Sequence, residues 1–182
     1  MPAYITLIRG INVGGKSMPM AALREMLAGL GYKDAQTYIQ SGNAVFAAAA
    51  KDGGKIARSI EATIAKTFGY EAAVIVRGLE EWRDLLKTNP YAKRKLADGE
   101  RLFVTFLEEA PAKAAAAKLE AIQDPKDEVK VRGNEAFLLI RGSYGESNLS
   151  NAFVEKVLGV RATTRNMPTT LKLLEMAEAL GK

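Results

Sequence analysis

The amino-acid sequence predicts an α+β fold of two tandem ferredoxin-like β-α-β-β-α-β units, joined by a helical connector and followed by a C-terminal helix. Apolar periods in the first 77 residues run strand, helix, strand, strand, helix, strand, and residues 100–164 repeat that order. Each half places a Gly-Asn pair between its second and third strands, Gly42-Asn43 and Gly133-Asn134. Each also carries Leu-Ile-Arg-Gly ahead of a loop, at Leu7–Gly10 and Leu139–Gly142. The expected boundaries are 1–77 for the first unit, 78–99 for the connector and 100–182 for the second unit with the last helix.

Tyr4–Ile8 is short, β-branched and stopped by Gly10, the pattern of a buried strand. Met20, Leu23, Met26, Leu27 and Leu30 recur at helical spacing between Pro19 and Gly31, a helix start and stop. Thr37–Gln40 and Ala44–Phe46 flank Ser41-Gly42-Asn43 as a hairpin. Ile56, Ile60, Ile64 and Phe68 mark a second helix ending at Gly69, and Ala73–Val76 a fourth strand. In the second half, Leu102–Leu107 is a strand and Pro111–Ile122 a helix carrying Leu119 and Ile122. Glu128–Val131 and Ala136–Ile140 form the second hairpin, Leu149, Phe153 and Val157 a helix face, and Val160–Thr164 a last strand. The C-terminal helix, Pro168–Leu180, carries Leu171, Leu174 and Leu180. In the connector, Leu79, Trp82, Leu85 and Leu86 make an amphipathic piece ahead of Lys93-Arg94-Lys95.

The 182 residues include no cysteine and no histidine. This excludes a Ser-His-Asp triad, an imidazole base, a thiol nucleophile, a disulfide framework and cysteine or histidine metal sites. No cofactor and no metal is expected. With 26 Lys+Arg against 21 Asp+Glu the net charge is +5, which suits an anionic partner, small molecule or nucleic acid. The N-terminus lacks the charged and apolar regions of a signal peptide, and the longest apolar run, Ala44–Ala50, is far below the ~18 residues that span a bilayer. A cytoplasmic protein without membrane contact is expected; the oligomeric state is left open.

Gly10-Ile-Asn-Val-Gly-Gly-Lys-Ser17 fits the phosphate-loop pattern G-x-x-x-x-G-K-[ST] between a strand and a helix. Three features separate it from a Walker site. Pro19 falls where the helix of a phosphate loop already runs, the next two strands form a hairpin instead of parallel crossovers, and no strand ends in an Asp placed for Mg²⁺. The sequence therefore predicts no Walker-type hydrolysis. A glycine loop that serves only backbone turns explains Gly10, Gly14 and Gly15 equally well.

Arg9–Lys16, Thr37–Asn43 and Thr163–Asn166 with Leu171-Lys-Leu173 together resemble the bacterial family called domain of unknown function 1697. The resemblance spans the chain and implies a duplicated ferredoxin-like architecture and no established activity. It departs in two places: Ser17 stands where the family often has Asn, and Met167-Pro168 where it often has Trp-Asn.

In one such unit the exit of strand one and the hairpin between strands two and three share a sheet edge. The candidate ligand-binding residues are therefore Arg9, Asn12, Gly14, Gly15, Lys16, Gln40, Ser41 and Asn43, with Arg165 and Asn166 ahead of the last helix. Arg supplies a planar fork, Lys a point charge, and Asn, Gln and Ser neutral hydrogen bonds. Each also has an architectural reading: Asn43 and Asn134 as left-handed turn residues, Gln40 and Ser41 as hairpin caps, Asn166 as a helix cap. The leading reading is binding of a phosphate-bearing or otherwise anionic ligand. An enzyme relying on Lys16, Tyr38 or a carboxylate, or a structural module, is the alternative. Tyr4 and Phe46 are expected in packing, since the basic-aromatic pattern of an RNA-binding sheet is absent.

Overall fold

A computed structural model describes residues 1–122, 124 and 126–180. The chain divides into two units, one of Met1–Arg83 with the chain from Leu171 onward, the other of Asp84–Thr170.

Unit one holds β1 (Ala3–Ile8), α1 (Met20–Gly29), β2 (Lys33–Tyr38), β3 (Asn43–Ala47), α2 (Gly53–Phe68) and β4 (Val74–Gly78). Its sheet has the order β2-β3-β1-β4, antiparallel throughout. This is the ferredoxin-like arrangement: two helical crossovers carry the chain over one sheet face, so β1 ends up between β3 and β4. Ile5 pairs with Val45 on one side and Arg77 on the other. Alternation along β1 sends Tyr4 and Ile8 into a core with Phe46, Val74 and Val76. From α1, Met20, Leu23, Met26 and Leu27 close over it, and from α2, Ile56, Ile60 and Ile64. Asp52 caps α2 by accepting from the Lys55 amide at 3.1 Å, and Gly69 ends it in the left-handed region at φ 75°. Tyr4 and Phe46 are buried, Phe46 stacks on Tyr32 with ring centres 4.6 Å apart, and the Tyr4 hydroxyl donates to the Ala50 carbonyl. Neither ring is presented to a ligand.

Unit two repeats the plan with β5 (Glu100–Leu107), α4 (Lys113–Glu120), β6 (Glu128–Arg132), β7 (Glu135–Arg141), α5 (Asn151–Leu158) and β8 (Ala162–Asn166). Its sheet order is β6-β7-β5-β8. The core gathers Leu107, Leu119, Val129, Leu138, Ile140, Val154 and Leu158. Two further helices, α3 (Leu79–Lys87) and α6 (Met167–Leu180), each cross from one unit's residues to the other's. The connector helix is thus present, and Trp82 and Leu85 on it are buried.

Several boundaries differ from those expected. β2 runs four residues earlier than Thr37 because it is a polar edge strand, exposed at Lys33, Asp34 and Gln36, with no apolar alternation to read. α4 stops at Glu120, leaving Ile122 outside it and 36% exposed. β8 starts at Ala162. In α6 the inward residues are Leu173 and Ala177, one turn apart, while Leu171 is 50% exposed. The two Leu-Ile-Arg-Gly copies are not structural equivalents either: the first ends β1, the second ends β7, whereas β1 corresponds to β5. No helix among the described residues is long and apolar enough to cross a membrane.

Candidate functional site

The loop between β1 and α1 starts where Ile8 donates to the Gly42 carbonyl and Arg9 to the Ala73 carbonyl, both at 2.9 Å. These bonds fasten the β1 exit between the hairpin and the chain entering β4. Gly10, Asn12, Gly14 and Gly15 then all take left-handed φ, at 67°, 57°, 58° and 85°. Such a run folds the chain back on itself, and glycine or asparagine is what tolerates it. Asn12 holds the fold-back. Its amide donates to the carbonyls of Met18 (3.0 Å) and Gln40 (2.8 Å), and its oxygen accepts from the Met18 amide (2.8 Å). Its own N–H reaches the Lys16 carbonyl at 2.6 Å. With both amide hydrogens placed, Asn12 positions the loop and the hairpin against each other.

Lys16 is tied from the opposite side. Its Nζ donates to the Glu71 carbonyl at 2.7 Å and lies 5.7 Å from the centre of the Tyr70 ring. The Tyr70 hydroxyl donates to the Ser17 carbonyl at 3.0 Å, so Tyr70 and Glu71 brace the loop. An ammonium has three donors, and one is used here by the protein's own carbonyl. Tyr70 and Glu71 were not among the expected site residues. The β1–β4 pairing of Ile8 with Val74 brings them there, and the predicted strand order already contained that proximity.

Asn12–Ser17 line a shallow depression of about 280 Å³. No acidic residue precedes Glu25 in the sequence, and α1 begins three residues after Ser17 with no side-chain cap and no acid in its first turn.

The hairpin residues serve the turn. Asn43 is buried and donates to the Tyr38 carbonyl (3.2 Å) and the Ser41 hydroxyl (2.9 Å). Gln40 is exposed, its carbonyl held by Asn12. The expected left-handed asparagines are corrected: the hairpin positions with positive φ are Ile39, Gly42 and Gly133, and neither Asn43 nor Asn134 adopts it. Gly42 is required sterically, since a Cβ there would stand 2.9 Å from Ile8 Cβ, the Ile8 carbonyl and Ile11 Cδ1.

Arg165 and Asn166 belong to unit two. Arg165 donates from Nη1 to the Thr163 hydroxyl (2.8 Å) and the Thr164 carbonyl (2.9 Å), and burial lowers its pKa to about 10. Asn166 accepts from the Thr169 amide at 2.8 Å, which makes it the cap of α6.

Duplication supplies an internal comparison. In unit two, Leu107 donates to the Asn134 carbonyl and Glu108 to the Arg161 carbonyl, so Glu108 occupies the place of Arg9 and Arg161 that of Ala73. There the two side chains form a bidentate ion pair, with Arg161 Nε 2.9 Å from Glu108 Oε2 and a second bond from Nη2 to Oε1. The connection to the following helix is also short, Glu108–Ala112, and lacks glycine. The long glycine loop and its cations thus belong to one copy of the repeat and are not a demand of the fold. The Arg141 of the second Leu-Ile-Arg-Gly is structural, bonded to Glu100, Glu128 and the Lys126 carbonyl.

A family model described as a protein of unknown function, DUF1697, matches residues 1–137, a span that includes the glycine loop and the hairpin and excludes Arg165 and Asn166. A solved structure described as the conserved bacterial protein SP0830 from Streptococcus pneumoniae is similar in fold, with a TM-score of 0.74 at 24% identity. The match covers 97% of this chain and 98% of that one. No curated protein matches.

Proposed function

The chain belongs to the DUF1697 family, and we propose that its members of this form bind a phosphate-bearing anion, a small molecule or a nucleic-acid phosphate, at the glycine loop of unit one. One observation carries the reading: the depression over Asn12–Ser17 is walled by Lys16 and by left-handed glycines, while the connection at the equivalent edge of unit two is short and holds no glycine. The remaining Lys16 donors and the start of α1, which no side chain caps, make a set suited to phosphate oxygens. Arg9 adds a second cation at the β1 exit. Asn12 fixes the loop, and Tyr70 and Glu71 aim the ammonium.

The same geometry disfavours hydrolysis of a nucleoside triphosphate. Both neighbours of β1 are antiparallel to it, so no adjacent parallel strand presents a carboxylate for Mg²⁺ beside the loop. Calorimetry with inorganic phosphate and pyrophosphate tests the binding. Lys16→Met and Arg9→Ala should each weaken it by about 1.5–3 kcal/mol, the range for hydrogen bonds to charged groups. Equal affinities in wild type and both variants, or no heat with either anion, refute the proposal.

A further inference from the structure

We propose that the anion bound at this loop is a nucleoside phosphate, with its phosphate on the loop and its base packed against Val13 and Ile39. This rests on the binding role argued above and names its ligand class. Val13 is 63% exposed and Ile39 52%, two of the few large apolar side chains that the protein leaves to solvent. They adjoin Asn12 and Gln40, the two residues joined by the 2.8 Å bond between loop and hairpin. Val13 lines the same depression as Lys16, and Ile39 directly precedes Gln40 at the hairpin end of that bond.

Ile39 adds a second, independent reason. Its φ is 51°, in the left-handed region that a β-branched side chain disfavours. Half exposed, it recovers little of that strain through burial inside the protein. Gln40, exposed next to it, brings an amide with both donor and acceptor, the set that a base edge presents in complement. Inorganic phosphate or a phosphosugar would leave the apolar pair wet; a flat, weakly hydrated base covers it.

The test is calorimetry with AMP, ribose 5-phosphate, inorganic phosphate and a 5′-phosphorylated tetranucleotide, on wild type, Val13→Ser and Ile39→Gly. AMP should bind about tenfold tighter than ribose 5-phosphate, the scale of one side chain's worth of apolar burial. Ile39→Gly should lose that advantage while keeping its affinity for inorganic phosphate and a Tm equal to or above wild type. Tighter binding of the tetranucleotide than of AMP would locate the nucleoside phosphate at a nucleic-acid end, weaker binding in the free nucleotide; both keep the proposal. Equal affinity for AMP and ribose 5-phosphate, or an Ile39→Gly protein that binds AMP as wild type does, overturns it and leaves phosphate binding standing. Failure of all four probes overturns the binding role itself.

Discussion

The side-chain amide of Asn12 donates to the main-chain carbonyl of Gln40 at 2.8 Å, tying the loop after β1 to the β2–β3 hairpin 28 residues on. The same side chain makes two further bonds to Met18. Asn12→Gly keeps the left-handed backbone and deletes all three. The expected loss is about 1–2 kcal/mol, since some of the freed groups regain water. Urea unfolding measures it. Hydrogen exchange gives a local readout, because the Met18 amide, bonded to Asn12 Oδ1 in a buried residue, should exchange faster in the variant. Unchanged exchange at Met18 would show that the loop holds itself.

Gly42 and Gly133 sit in corresponding hairpins and both have positive φ, 75° and 57°. A Cβ at Gly42 meets three atoms at 2.9 Å, and one at Gly133 meets nothing within 4 Å. Gly133→Ala should cost about 1–2 kcal/mol, the left-handed penalty alone. Gly42→Ala adds a clash with the β1 backbone and should exceed about 3 kcal/mol or prevent folding. Equal destabilisation of the two variants would contradict the close approach of Gly42 to Ile8.

The sequence already carried the repeat, since helix and strand periods with glycine stops are local properties. The β1 exit and the hairpin could be placed together for the same reason: once the strand order is known, their proximity is topological. What the sequence concealed was the use of each polar group. Asn12 and Asn43 read as ligand donors until their amides are seen satisfied by carbonyls, which depends on loop backbone angles that no period encodes. Tyr70 and Glu71 were missed because they act through position, Glu71 through a carbonyl that every residue has. The two Leu-Ile-Arg-Gly copies misled for the opposite reason, identical letters at non-equivalent strands.

In unit two, Glu100 is held by Arg94 (2.7 Å), the Ala97 amide (3.0 Å) and Arg141 (3.0 Å), and its side chain is 6% exposed. The Arg94 hydrogen bond, then the Ala97 amide, hold its carboxyl at about 2. An unfolded glutamate titrates near ~4.3, so the native state binds this proton more weakly. The stabilisation is complete above ~4.3 and is lost as pH falls through about 2. Urea midpoints of wild type should fall across that window, while Glu100→Gln should start lower at pH 7 and fall less steeply. Parallel curves would remove Glu100 from the acid response.

Tyr91 is 6% exposed, and its hydroxyl has no hydrogen-bond partner among the described residues. Burial, with Glu128 next in effect, pushes it up to about 12. An unfolded tyrosine titrates near ~10, so the native state holds this proton more tightly. Stability from this group is full below ~10 and is lost as pH rises through about 12. Tyr91→Phe removes both the unsatisfied hydroxyl and the alkaline loss. At neutral pH the variant should match wild type or gain about 1 kcal/mol, because no bond is broken and a desolvated polar group is gone. Between pH 10 and 12 it should hold its urea midpoint better than wild type. In a spectrophotometric titration of the native protein, which has six tyrosines, the variant should lose an absorbance step near pH 12. A variant destabilised by more than about 1 kcal/mol at neutral pH would mean that the hydroxyl is bonded in solution, for example through a buried water.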